Sequence, residues 1–149
     1  MKRTTTITSL LAALMIIGSI SVNALKAADL DVTLYKNPQC GCCEKYADYL
    51  RENGFNVNVK PTHELVMMSR EAGLLDKYQG CHLSLVGGYF VSGHVPMSTV
   101  DKLLAEQPDI KGIALPGMPQ GSPGMSGTKN EPFAIYSVSG GKPQVYAVE

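Results

Sequence analysis

Cys40-Gly41-Cys42-Cys43 places three thiols within four residues, and the one remaining cysteine, Cys81, stands alone further along the chain. Cys40 and Cys43 have the C-x-x-C spacing of a redox dithiol, with Cys40 as the attacking thiol and Cys43 as the resolving one. Cys42 adds a C-x-C pair and a vicinal pair that plain disulfide exchange does not need. Three thiolates this close suit a soft metal, because Cu(I) prefers sulfur, accepts two or three ligands and tolerates bridging. Zinc is the rival, but zinc knuckles draw on two separated cysteine pairs, and here the fourth cysteine has no neighbour. A structural pairing of all four into two disulfides meets the strained geometry of vicinal and near-vicinal cysteines.

Other side chains with metal-binding chemistry divide by context. His94, in Gly93-His94-Val95-Pro96, is either a capping or surface histidine or a nitrogen ligand, while His63 at a helix start reads as surface. Met67 and Met68 read as core packing. Met118 and Met125 lie in a loop otherwise poor in apolar residues, where packing explains them less well, and a loop that folded over the cysteines could bring their neutral thioethers to Cu(I).

The elements that must position these residues follow from periodicity. Leu30, Val32 and Leu34 alternate with polar residues up to Asn37-Pro38, which predicts a strand running into the cysteine motif. Tyr46, Ala47 and Leu50 then keep helical spacing as far as Asn53-Gly54, so the cysteines occupy the start of a helix, where free amides and the helix dipole favour thiolate. Phe55, Val57 and Val59 predict a second strand ended by Pro61, and the three elements make a right-handed βαβ unit. Thr62 is a plausible N-cap for a helix with Leu65, Met68 and Ala72 on one face and Gly73 at its end. Leu83 to Val86, Gly87-Gly88 and Tyr89 to Val91 form a hairpin signature. Pro96 opens a last helix that turns Met97, Val100, Leu103 and Leu104 inward and closes at Pro108. From Gly112 to Gly127, five glycines and three prolines in sixteen residues predict a long surface loop. Phe133 to Val138, Gly140-Gly141 and Val145 to Val148 predict a C-terminal hairpin.

The N-terminus reads as a leader rather than as part of the fold. Lys2 and Arg3 precede an apolar run from Leu10 to Ile17, and small residues at Ala24, Ala27 and Ala28 offer cleavage after 24 or after 27, so residues 1–27 are expected to be a secretory signal peptide. The run is shorter than the ~20 residues a bilayer span needs, and no stable membrane insertion is expected after cleavage. Residues 28–149 are then expected to be a single domain, exported to an oxidising periplasm where thiols pair unless metal or a reductase protects them. With 13 Lys and Arg against 13 Asp and Glu, no basic excess favours nucleic acid, and 44% hydrophobic residues are enough for a core.

Five motifs in one order carry a family resemblance: Cys40-Gly41-Cys42-Cys43, Cys81-His82, Gly93-His94-Val95-Pro96, Pro116-Gly117-Met118-Pro119 and Gly121-Ser122-Pro123-Gly124-Met125. Together, over about Asp31 to Tyr146, they resemble the CopG-type periplasmic copper-resistance proteins. The resemblance implies an α/β domain of thioredoxin-like fold that binds copper through its cysteines, helps withstand copper stress and interconverts Cu(I) and Cu(II). It leaves open whether the chain turns over as an enzyme, as a copper oxidoreductase or a thiol-disulfide oxidoreductase. Copper ions and other periplasmic copper-handling proteins are the implied partners. Cys81-His82 stands where a thioredoxin-like fold has a residue followed by cis-proline, facing the dithiol, and so supplies a fourth sulfur opposite the first three. The four cysteines are therefore expected to converge at one end of the sheet. An α+β domain without that topology would instead put the C-terminal hairpin, not Leu83 to Val91, at the antiparallel edge of the sheet.

Overall fold

β1 (Asp31–Lys36) leads into α1 (Gly41–Glu52), which returns the chain to β2 (Asn56–Pro61), parallel to β1 and in register from Asp31 opposite Asn56 to Lys36 opposite Pro61. This is a computed structural model, and it describes residues 31–149; the expected leader lies outside the described residues. After β2 come α2 (Leu65–Glu71), a single 3-10 turn at Asp76–Tyr78, the β3 (His82–Val86) and β4 (Tyr89–Ser92) hairpin, and α3 (Met97–Glu106). Short β5 (Gly112–Ala114) and a C-terminal hairpin of β6 (Ala134–Val138) and β7 (Gln144–Val148) complete the chain.

All seven strands form one sheet in the order β2-β1-β3-β4-β5-β6-β7. Its first four strands, with α1, α2 and α3, are the expected thioredoxin-like unit: β1 and β2 parallel, β3 antiparallel to β1, and β4 antiparallel to β3. β5 then runs parallel to β4 and carries the sheet on to the C-terminal hairpin. That hairpin does occupy the antiparallel edge and the β3-β4 hairpin is central, so edge position did not separate the two topologies; the helical crossover and the strand order do.

The alternation along each strand divides the core between two faces of the sheet. Val32 and Leu34 of β1, Val91 of β4, Ile113 of β5 and Ile135 of β6 pack with Tyr46, Ala47 and Leu50 of α1 and with Val100 and Leu103 of α3. Leu83, Phe90, Ala114 and Val138 face the other way and are covered by Leu65 and Met68 of α2 and by Ala72 at its C-cap. Burial of a side chain of this size contributes roughly 1.5 to 3 kcal/mol, so these two layers hold the helices whose ends form the site.

Three local expectations need correction. Met67 does not pack in the core but is 55% exposed, because it points away from the face that carries Met68. The loop expected from Gly112 begins later, since Gly112, Ile113 and Ala114 are buried and hydrogen-bonded as β5 beside β4. Gly112 suits that strand because a side chain there would collide with Phe90. Thr62 is not the cap of α2, which is Glu64; its hydroxyl instead accepts the Glu64 amide in the preceding turn.

Candidate metal centre

Cys40 occupies the N-cap of α1, and Cys42 and Cys43 lie in its first turn. Cys40 and Cys43 are joined in a disulfide, with Cα atoms 5.5 Å apart, Cys43 fully buried and Cys40 partly exposed. Cys42 and Cys81 are free and partly exposed. The Cys42 sulfur lies 3.4 Å from that of Cys40 and 3.9 Å from that of Cys81, and Cys43 Sγ is 3.3 Å from the Cys81 carbonyl oxygen. All four sulfurs fall within 4.8 Å of one another, so the expected convergence of the cysteines is what the fold produces.

Lys36 holds the loop before the helix. It is the inward position that follows Val32 and Leu34 on β1, it is buried, and its ammonium donates to the carbonyls of Asn37, Pro38 and Cys40 at 3.2 to 3.3 Å. Glu44 on the first turn of α1 completes the arrangement at 3.0 Å. A lysine at a core-facing parity just before the motif was the sequence signal for this role, and sequence reasoning passed over it.

Cys81, just before β3, and His94, just after β4, lie across from each other at the open end of the hairpin, where the register pairs Leu83 with Ser92, and three backbones close together behind them. A Cβ on Gly80 would overlap Gly93, and one on Gly93, at φ +80, would overlap the Leu115 carbonyl. Ser92 ties them further, accepting from the Gly80 amide and donating to the His82 carbonyl. His94 Nε2 then lies 3.0 Å from Cys81 Sγ, and His94 Nδ1 lies 2.5 Å from the Pro123 carbonyl. A carbonyl can only accept, so Nδ1 carries the proton and the Nε2 lone pair faces the sulfurs. A histidine whose far nitrogen donates to a carbonyl is in the state that ligates a metal. Burial holds the His94 pKa below its ordinary value, which keeps that neutral form. Burial first, and then the charge and hydrogen bond of Cys42, push the Cys81 thiol up to about 12, so without metal Cys81 keeps its proton and donates toward His94.

His82, the first residue of β3, is fully buried. Its ring stacks on Tyr46 with centroids 4.5 Å apart, and Nδ1 is 3.7 Å from Cys81 Sγ, while Nε2 has no partner. Burial, with the neighbouring His94, lowers its pKa to about 3. Cys43, Cys81, His82 and His94 thus form a second group of donors within 4.8 Å, sharing two cysteines with the first. Tyr46 closes the floor, donating its hydroxyl to the Val95 carbonyl at 2.9 Å.

The glycine and proline loop reaches this centre at Pro123 and Gly124. A Cβ on Gly124 would press on the Tyr46 amide and the Cys42 carbonyl, so the loop backbone lies against the first turns of α1. Met118 is 40% exposed at φ +47, and Met125 is partly buried two residues after Pro123. His63 is exposed ahead of α2, as expected of a surface histidine.

A thioredoxin-like sheet with four cysteines and a histidine gathered at the N-terminus of α1 defines a class of thiol-based metal or redox proteins. Comparison with solved structures narrows it. The chain is similar, at 32% identity and a TM-score of 0.74, to a structure described as copper resistance protein CopG, form 2, over 80% of this chain and 98% of that one. Form 1 of that protein matches at 31% identity and a TM-score of 0.73, over 80% and 96%. A family model described as a protein of unknown function, DUF411, matches residues 78–125, the stretch that holds Cys81, His82, His94, Met118 and Met125. No curated protein matches. This chain belongs to the CopG family of copper resistance proteins.

Proposed function

We propose that the protein is a periplasmic copper-binding protein that takes copper as cargo on the thiolates of Cys40, Cys42, Cys43 and Cys81, with His94 as its nitrogen ligand, and so contributes to copper resistance. The observation that carries this is the bunching of four sulfurs within 4.8 Å beside an imidazole lone pair whose other nitrogen is anchored. Sulfur in that number matches the softness of Cu(I), and the similar structures are of a copper resistance protein. Opening the Cys40–Cys43 disulfide is the condition for loading, and closing it gives two electrons, which couples the site to the Cu(I)/Cu(II) pair. Met118 and Met125 are further soft ligands within this proposal. An oxidising compartment suits the disulfide, and no helix among the described residues is long and apolar enough to cross a membrane.

Reduced protein reconstituted anaerobically with Cu(I), in competition with zinc, tests the reading. Copper retained against excess zinc, and lost in Cys42→Ser and Cys81→Ser, is the expected result. Tight zinc binding with negligible Cu(I) affinity overturns it.

A second reading has its own support. The disulfide at the N-terminus of α1, with Cys40 partly exposed and Cys43 buried, is the arrangement of an exchange enzyme acting on periplasmic proteins. Metal-free insulin reduction, and a mixed disulfide trapped on Cys40 in Cys43→Ser, would favour that reading over copper binding.

A further inference from the structure

The disulfide present and the two free cysteines together describe a half-oxidised site. Cys42 Sγ has two sulfur neighbours within 4 Å, and one of them, Cys40, is already paired. The other is Cys81 at 3.9 Å, also free and partly exposed, and the whole sequence has four cysteines, so no other partner exists within the chain. The two sulfurs must close by about 2 Å to reach bonding distance, a displacement within reach of a side-chain rotation. Cys81 sits in a bend just before β3 rather than in a strand, and Cys42 is only in the first turn of α1, so neither is held by a long run of backbone bonds. The strain expected for two disulfides in this sequence belonged to vicinal and near-vicinal pairing, and joining Cys42 to Cys81 rather than to Cys40 or Cys43 avoids both.

We propose that Cys42 and Cys81 form a second disulfide while Cys40–Cys43 stays closed, so that the reduced site delivers four electrons and converts four Cu(II) to Cu(I). This rests on the copper reading of the site. Each pair gives up two thiol protons and two electrons as its sulfur–sulfur bond forms, and each electron reduces one Cu(II). The protons leave to water, that of Cys81 by way of His94 Nε2, which faces its sulfur. With both bonds closed no thiolate remains, so complete oxidation expels the Cu(I) it has made. A dithiol reductant must then supply four electrons to open the site again.

The experiment titrates fully reduced protein with Cu(II) under argon in the presence of a chromogenic Cu(I) chelator, then counts free thiols by alkylation and intact mass. The expected result is four Cu(I) per chain, no alkylated cysteine, monomeric protein, and a proteolytic fragment pair linked through Cys42 and Cys81. Cys42→Ser and Cys81→Ser should each halve the yield to two Cu(I) and leave one alkylated thiol. A parallel arm oxidises the protein with diamide and no copper. Two alkylated thiols at Cys42 and Cys81 under both oxidants would overturn the proposal, as would a disulfide-linked dimer through either residue. Two internal disulfides with diamide but no reduction of Cu(II) would overturn the four-electron step while leaving the second disulfide standing, and the zinc competition decides the copper reading separately.

Discussion

The two halves of the sulfur site are built in opposite ways. Cys40, Cys42 and Cys43 need one strand end and one helix start, and nothing lies within 4 Å of where a side chain on Gly41 would go. Cys81 and His94 need Gly80, Gly93 and Leu115 to bring three backbones into contact, and then Pro123 from a loop to orient the imidazole. The first half tolerates its surroundings while the second is made by them. Thiols supplied by one helical turn are cheap in sequence, whereas a ligand aimed from across the sheet depends on packing far from the sulfur.

The sharpest way to break this comparison is to add one methyl group to each half. Gly93→Ala forces a side chain onto the Leu115 carbonyl at φ +80, and the loss of stability is expected to be about 2 to 5 kcal/mol by urea unfolding of the oxidised, metal-free protein. Gly41→Ala, at the first residue of α1, should stay within about 0.5 kcal/mol of the parent. Comparable losses at the two glycines would show that the halves are equally constrained.

Acid should strike the same side. His82 is buried neutral with its pKa taken from 6.5 to about 3, and His94 is lowered as well. Below pH 6.5 the unfolded chain therefore takes up protons that the folded chain refuses. The stability that this contributes is fully present above the unfolded value and is lost progressively as pH falls from 6.5 toward about 3. His82→Phe keeps a ring against Tyr46 and removes both the proton acceptor and the unpartnered Nε2. Its unfolding midpoint should accordingly fall less steeply than that of the parent between pH 6.5 and 4. Parallel curves would place the acid sensitivity elsewhere.

A smaller loss is expected on the α1 side from Lys36→Met, which keeps the buried stem and removes three donors to loop carbonyls. Hydrogen bonds from a charged group contribute about 1.5 to 3 kcal/mol each at best, and water can replace part of this, so a total of about 1 to 2 kcal/mol is expected. Faster amide exchange at Gln39 and Cys40 should accompany it. Glu44→Gln should do almost nothing, because that carboxylate is 52% exposed. An equal effect from both would assign the role to the ion pair rather than to the carbonyl cage.

What the sequence disclosed follows the same division. Strand parity, the Asn53-Gly54 stop, the Gly87-Gly88 turn and Pro96 placed β1 through α3 because each signal is local. β5 was hidden because three residues carry too little alternation to outweigh the glycine and proline that follow them, and only its pairing with β4 and β6 makes it a strand. The four sulfurs were legible from residue type. The anchoring of His94 was not, since its partner is a backbone carbonyl that every residue possesses. The stacking of His82 on Tyr46 was hidden for a related reason: a ring on a strand face declares its neighbour only once a helix is laid across it.

The loop offers the finest distinction. Its contact with the centre runs through the Pro123 carbonyl and the Gly124 backbone, and neither uses a methionine. Met118 is 40% exposed, so truncation should remove little buried area and leave the unfolding free energy of the metal-free protein within about 0.5 kcal/mol. Its thioether nonetheless adds no charge, and on a site already crowded with thiolates a neutral sulfur can bind Cu(I) without repulsion. Met118→Ala is therefore expected to weaken copper retention or shift the potential of bound copper while unfolding stays unchanged. Met118→Gly separates the side chain from the backbone, because it also removes the thioether but relieves the left-handed φ of +47. Equal copper loss in the two variants would assign the effect to sulfur. Copper affinity untouched in both, with stability lost in Met118→Ala, would make the methionine packing and leave the loop with one task, the orientation of His94.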